Sequence, residues 1–384
     1  MGNLLEYIRW RGDIPFSVIP PCEVDELIFS HLAYLDLNGI VSDTPVKLSQ
    51  AYVLWKQKGY SAPKGIHSRF IWDEIIPMFG EAAGTRRFCD CLFSDFISVC
   101  DEVKQSQFGA VTVTLPGIRG EHILFRGTDD TLIGWKENLC MSYLSAVPAQ
   151  TAALEYLCRH EKNGELTLCG HSKGGNLAVF AAGAASSEVQ ENILCVWNFD
   201  GPGFRQDFLR SDGYRRVAGK IRTYVPESSV FGMMLANDGR YRVVRSSAAG
   251  VAQHDGFSWE ISGSGFCRAK ALSEKSRLHH RIMERWLAGI PDDCRAALVN
   301  CLFRILSDEK FRFMTEVKAK ENRHRVLYAC LRADAESRRL LITHFLPLIR
   351  LWKSADLFCD KRNKAAGKKQ TSDGQHHKNT PAPT

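Results

Sequence analysis

The sequence predicts an α/β architecture: a mainly parallel sheet flanked by helices, with an N-terminal helical layer before it and a C-terminal helical extension after it. Three observations carry this. Short apolar segments such as 166–169 and 193–199 alternate with helical segments through the middle of the chain. The run Gly170-His171-Ser172-Lys173-Gly174-Gly175 joins one of those apolar segments to a helix of small residues. The two ends of the chain carry apolar residues at helical spacing instead.

Taken in order, Val24, Leu27, Ile28, His31, Leu32 and Leu35 repeat at helical spacing after the Pro20-Pro21 break. Similar stripes over 72–79 and 88–103 read as further helices packed on a core. From Phe108 the character changes. Ala110-Val111-Thr112-Val113-Thr114-Leu115 is β-branched, Pro116-Gly117 and Gly120 make a turn, and His122-Ile123-Leu124-Phe125 follows, which predicts a β-hairpin. A helix over 148–159 should precede the strand at 166–169, an Ala-rich helix over 176–185 should follow it, and strands are expected at 193–199 and 221–225. Beyond 285, one stripe is marked by Ala296, Leu298, Cys301, Leu302 and Ile305, another by Leu340, Leu341, Phe345, Leu348 and Leu351. The expected division is a helical segment over 1–107, an α/β core over 108–285, a helical extension over 286–358, and a disordered basic tail over 359–384.

Composition narrows the function. The chain has 384 residues, 45% hydrophobic and 24% charged, and can bury a sizeable core. The net charge of +7 is mild and partly gathered in the tail, at Lys361, Arg362, Lys364, Lys368, Lys369 and Lys378. A dense basic face with interleaved aromatics is missing, so no nucleic-acid partner is expected; weak contact with an anionic membrane surface is compatible with the tail. No stretch reaches the roughly 18 apolar residues of a transmembrane segment. The 13 cysteines are odd in number and scattered, with Cys89-Asp90-Cys91 the closest pair and no metal-site spacing around it. That reads as a reducing compartment, with no metal and no cofactor. The first residues, Met1-Gly2-Asn3-Leu4-Leu5-Glu6, hold no apolar leader run, so a cytoplasmic location is expected. No feature specifies an oligomeric state.

The chemistry concentrates around Ser172. Gly170-x-Ser172-x-Gly174 between strand and helix is the pattern of a nucleophile on a sharp turn, with glycines where side chains would meet the neighbouring strand and helix. The helix N-terminus then offers free amides and a positive dipole end where negative charge develops. An oxyanion donor must come from a different loop, and Phe125-Arg126-Gly127-Thr128-Asp129-Asp130 ends a strand in the right place. Thr128, by hydroxyl or backbone, and the Lys173 amide are the candidate donors; taken alone, the segment could equally be a turn with Arg126 paired to Asp129 or Asp130. Among the 12 histidines, His254 in a loop-like Gln253-His254-Asp255-Gly256 setting is the candidate base, against a turn histidine bonded to Asp255. His279 and His280 read as solvent-facing, His344 as a packing residue and His171 as a support. Two carboxylates compete as the acid. Asp200 ends the strand before Gly201-Pro202-Gly203, and Glu227 ends the next strand. Asp200 is preferred because its short side chain and rigid exit fix the geometry better.

Phe125-Arg126-Gly127-Thr128 followed by Gly170-His171-Ser172-x-Gly174-Gly175 resembles the signature of the class 3 lipases. Together with Trp10-Arg11-Gly12-Asp13, Val24-Asp25-Glu26-Leu27-Ile28, Gly134-Trp135-Lys136-Glu137, Asp200-Gly201-Pro202-Gly203-Phe204 and Gln253-His254-Asp255-x-Phe257-Ser258-Trp259, the chain resembles most closely the bacterial Mbeg-one-like family, over most of residues 1–285. The resemblance implies an α/β-hydrolase fold, Ser172 as nucleophile, Thr128 as oxyanion donor and His254 as base, and no particular substrate. Two departures from the class 3 lipases stand out: Lys173 replaces an apolar residue, and Pro226-Glu227-Ser228-Ser229 replaces the stretch where an Asp is expected. The second favours Asp200, which resembles the acid position of the pancreatic lipase branch. The function expected is therefore a serine esterase or lipase-like hydrolase acting on a small-molecule or lipid ester. A hydrolase-fold scaffold that binds a protein or membrane partner without turnover, and a thioesterase or peptidase on the same residues, are the rivals.

Overall fold

Period-two alternation of apolar side chains builds the centre of the molecule. The computed structural model describes residues 2–59, 69–162 and 164–359. Eight strands lie in one sheet in sequence order: β1 (Val46–Lys47), β2 (Leu92–Asp101), β3 (Ser106–Thr114), β4 (Glu121–Phe125), β5 (Leu166–His171), β6 (Ile193–Phe199), β7 (Ile221–Pro226) and β8 (Tyr241–Val244). Strands β1 to β4 pair antiparallel, and β4 to β8 pair parallel. The expected hairpin is present, with Ala110 opposite Phe125 and Val113 opposite His122.

Helices cover both faces. On one side lie α1 (Leu4–Arg11), α2 (Glu23–Leu32), α3 (Leu48–Gln57) and α4 (Arg69–Ala83), packed on Val111, Val113, Leu124, Cys169 and Phe199. After α5 (Leu132–Cys140), the helices α6 (Pro148–Arg159) and α7 (Lys173–Ala184) cover the other side, against Ile123, Phe125, Leu166, Leu168 and Val196. Neighbouring positions such as Ile123 and Leu124 thus serve opposite cores, as strand geometry requires. Helix α7 is buried nearly all round, which its Ala and Gly content permits. This is an α/β-hydrolase fold.

The N-terminal layer is held by a buried ion pair. Arg87 Nε and Nη2 donate to the two carboxylate oxygens of Asp25 at 2.8 and 2.7 Å, and both side chains are fully buried. Such a pair is tolerated because its remaining groups are satisfied. Arg87 Nη1 donates to the carbonyls of Ile14 and Ile19, while Tyr7 Oη and the Cys22 amide donate to Asp25.

One expectation is corrected. The stretch 88–103 is not a helix; most of it is strand β2, so the sheet begins well before residue 108 and the segment 1–107 is not wholly helical. The register of β2 against β3 shifts between Ser94 and Ile97, with Asp95 at a φ of 54°. This bulge displaces the alternation by one residue. Phe93, Phe96 and Ile97 consequently fall at spacings that imitate a helical stripe.

The C-terminal part is helical, with Glu274–Ala288, Asp292–Asp308, Arg323–Arg332 and Ala335–Leu340 followed by helix over 346–359. The basic tail lies, beyond Cys359, outside the described residues. Among the described residues no helix is long and apolar enough to cross a membrane.

Candidate active site

The bend between β5 and α7 puts Ser172 in a left-handed backbone conformation, φ 58° and ψ −130°. An L-residue adopts this only when its surroundings hold it there. Here the Ser172 amide donates to the Phe199 carbonyl at 2.9 Å, and its own carbonyl accepts from Gly175 at 2.9 Å. The glycines are sterically required: a Cβ on Gly170 would collide with Gly174, and one on Gly174 with the Phe125 carbonyl. Strand β4 and helix α7 therefore touch through backbone, which brings the loop after Phe125 beside Ser172.

That loop is pinned from several directions. Arg126 is buried and donates to Ser98 Oγ at 2.9 Å. The carboxylate of Asp129 accepts from Thr131, and that of Asp130 from Thr315, so the Arg126 pairings considered from sequence are not the ones formed. Gln107 donates to the Gly127 carbonyl and accepts from the Asp129 amide, both at 3.4 Å. Thr128 Oγ accepts from Asn138 Nδ2 at 2.7 Å.

Lys173, the first residue of α7, is neither solvated nor free to meet a ligand with its side chain. Its Nζ is fully buried and donates to Glu137 Oε2 at 2.5 Å and to the Gln107 carbonyl at 2.6 Å. Glu137 in turn accepts from the amides of Gln107 and Ala149. One satisfied buried pair thus joins the bend, α5, α6 and the strand beneath the Thr128 loop. The Lys173 amide, being in the first helical turn, has no acceptor within its own helix.

His254 ends a short turn, Gly250–His254, after β8. Its Nδ1 donates to Asp200 Oδ2 at 2.6 Å. Asp200 directly follows β6, has a φ of 52° and is fully buried. Its other oxygen accepts from Ser229 Oγ at 2.5 Å and the Gly232 amide at 3.2 Å. Of the two carboxylates considered, Asp200 is the one bonded to His254; at Glu227 the amide donates to Val244 and the carbonyl accepts from Ser273. Asp255 accepts from the Phe257 amide rather than from His254.

The His254 turn rests on a column of rings. His171 lies 4.7 Å from His254 and His31 lies 5.0 Å from His171, between centroids. Burial drives the His171 imidazole well below its ordinary value, and pushes His31 down to about 4. Neutral His171 donates from Nε2 to the His254 carbonyl at 2.8 Å, and its Nδ1 accepts from Tyr34 Oη at 3.2 Å.

Ser172, His254 and Thr128 line one cavity of about 240 Å3, whose walls include Tyr34, Trp135 and Phe231. Among the described residues no group of three or more His, Cys, Asp or Glu side chains could hold a metal ion.

A family model described as Mbeg1-like matches residues 82–304, more than half of the chain. The chain belongs to the Mbeg1-like family. Among curated proteins none matches it. A crystal structure of an M37 lipase resembles the chain with a TM-score of 0.34 and 16% identity, covering 55% of this chain and 68% of the lipase.

In this Mbeg1-like protein, several site residues escaped the sequence reading. Ser229, Gly232, Asn138 and the Lys173–Glu137 pair all act across long separations. The quoted run Gly134-Trp135-Lys136-Glu137 was the one available signal for Glu137. The histidines outside the site also differ from expectation. His279 is buried, stacked 4.0 Å from Trp352 with Nε2 3.0 Å from Asp356, and His280 Nδ1 donates to the Met233 carbonyl at 2.7 Å, so neither is simply solvent-facing.

Asp255 supplies a pH signature. Burial pushes its carboxyl up to about 7, with the nearby Glu74 adding to the shift, whereas an unfolded Asp titrates near about 4. Between those values the folded chain holds a proton that the unfolded chain has released, so stability falls as pH rises through the window and stays lower above it. Asp255→Asn keeps an acceptor for Phe257 and removes the titration. Its Tm should match wild type near pH 4 and exceed it by roughly 2–4 °C at pH 8. A difference independent of pH would contradict the shift.

Proposed function

We propose that this Mbeg1-like protein is a serine hydrolase that cleaves carboxylic esters through an acyl-enzyme on Ser172. The Ser172 oxygen adds to the ester carbonyl carbon while His254 Nε2 takes the hydroxyl proton. Asp200 holds the ring in the required tautomer and stabilises the imidazolium. The oxyanion is received by the Lys173 amide and by Thr128. Collapse breaks the bond to the alcohol oxygen, and His254 gives that oxygen its proton. Water then adds to the acyl carbon, its proton passes through His254 to Ser172, and the carboxylic acid leaves.

The observation that carries this reading is the 2.6 Å bond from His254 to a buried Asp200, facing the same cavity as Ser172 and Thr128. With Nδ1 committed to Asp200, Nε2 is the nitrogen left to serve as base. The Asn138 bond adds support for Thr128. By accepting from Asn138 Nδ2, the Thr128 oxygen keeps its own hydrogen for an oxyanion.

Two experiments test this. A fluorophosphonate probe should label the wild-type chain, and Ser172→Ala should remove both labelling and the hydrolysis of p-nitrophenyl acetate. A folded wild-type protein that never labels would overturn the reading in favour of the non-catalytic scaffold. Separately, Asn138→Asp converts the donor to Thr128 into an acceptor, which turns the hydroxyl hydrogen away from the oxyanion. Its kcat should fall about 100-fold at little-changed KM, and further than in Asn138→Ala. Equal losses in the two variants would contradict this orientation of Thr128.

A further inference from the structure

The cavity at Ser172 is not closed by the sheet and its own loops. Part of its lining is core, but part is made by Met283 and Leu287 of the helix Glu274–Ala288, Leu298 and Leu302 of the helix Asp292–Asp308, and Phe345 and Leu348 from the last helical stretch, which together form a C-terminal wall. Family similarity ends at residue 304, so Phe345 and Leu348 belong to a part of the chain that the family model does not match.

This wall is fixed to the core. The Met314 amide donates to the Asp130 carbonyl at 2.8 Å, Arg205 Nη1 donates to Asp292 Oδ2 at 2.9 Å, and Lys318 Nζ sits 4.6 Å over the Trp135 ring. Trp286 Nε1 donates to the His344 carbonyl at 2.7 Å, which holds the last stretch against the first helix. The charged groups that border the cavity are engaged by bonds within the protein. Asp129 is bonded to Thr131 and Asp130 to Thr315, while the three guanidinium nitrogens of Arg295 donate to Ile290, Ser142 and Asp292. What remains is an apolar compartment.

We propose that the C-terminal extension completes the site as an acyl-chain compartment, and that the preferred substrates are esters of medium-length, unbranched fatty acids. This rests on the Ser172 reading above. The acyl group stays on the protein through both half-reactions, so an enclosed apolar space beside Ser172 serves it best. The alcohol leaves past the His254 ring, which is 19% exposed. Size sets the length. The cavity has a volume of about 240 Å3. It lies below the roughly 300–1,000 Å3 of pockets for drug-sized ligands, too small for a long chain or for two chains at once.

The test compares chain lengths on the full-length protein. With p-nitrophenyl acetate, octanoate and palmitate, kcat/KM should be highest for octanoate, by at least about tenfold over acetate. Wild-type labelling by an octyl fluorophosphonate should likewise outpace labelling by an ethyl one, a comparison that needs no variant. Leu302→Trp fills the compartment and should lower the octanoate-to-acetate ratio at least about tenfold; Phe345→Ala enlarges it and should move the optimum to longer chains. Failure of both probes to label Ser172 would overturn the ester-hydrolase reading and this inference with it. Labelling of Ser172 with equal rates for both probes, or a chain-length profile unmoved by both substitutions, would overturn the acyl compartment alone.

Discussion

A carboxylate buried away from water organises the region around Ser172. Asp200 is 0% exposed, and a charged group in such a place is tolerated only when donors replace its hydration. Ser229 Oγ, the Gly232 amide and His254 Nδ1 do so. These donors come from the turn after β7 and from the turn after β8, while Asp200 itself directly follows β6. Satisfying one side chain therefore draws three strand ends into one arrangement. A Cβ at Gly232 would collide with Asp200 Oδ1, so this approach depends on a glycine there.

Two further buried networks hold the remaining parts in register. The His31, His171 and Tyr34 group connects the N-terminal layer to the His254 carbonyl, so the helices before the sheet support the turn that carries His254. The Lys173–Glu137 pair and Gln107 connect the Ser172 bend to the Thr128 loop. Breaking either would leave buried polar groups unpaired, at a cost greater than that of an ordinary surface change. Rigidity of this kind suits a site whose donors must stand ready where charge develops.

What could be read from the residues alone follows from the range of the interactions. The bend at Ser172 was legible because its constraints lie within Gly170, Gly174 and the flanking strand and helix. The β3–β4 hairpin was legible because its turn residues sit between its strands. Strand β2 was not, because the bulge at Ser94–Ile97 gives its apolar residues a false helical spacing. Asp200 and Glu227 both end parallel strands, so pattern could rank them only on local stiffness; the fold of Ser228–Gly232 back onto Asp200 is what separates their surroundings. Lys173 and Glu137, Thr128 and Asn138, and His279 and Trp352 meet through tertiary packing, which one sequence without its relatives does not reveal. The part played by the C-terminal helices in lining the cavity was hidden for the same reason.

The roles proposed for Ser172, His254, Asp200, Thr128 and the Lys173 amide are tested most directly by a crystal structure of the chain inactivated with an alkyl phosphonate. Phosphorus should be bonded to Ser172 Oγ, the phosphoryl oxygen should lie within hydrogen-bond distance of the Lys173 amide and Thr128, and His254 Nε2 should face the oxygen of the departing group. An adduct on another side chain, or a His254 ring that stays out of reach of the Ser172 adduct, would contradict it.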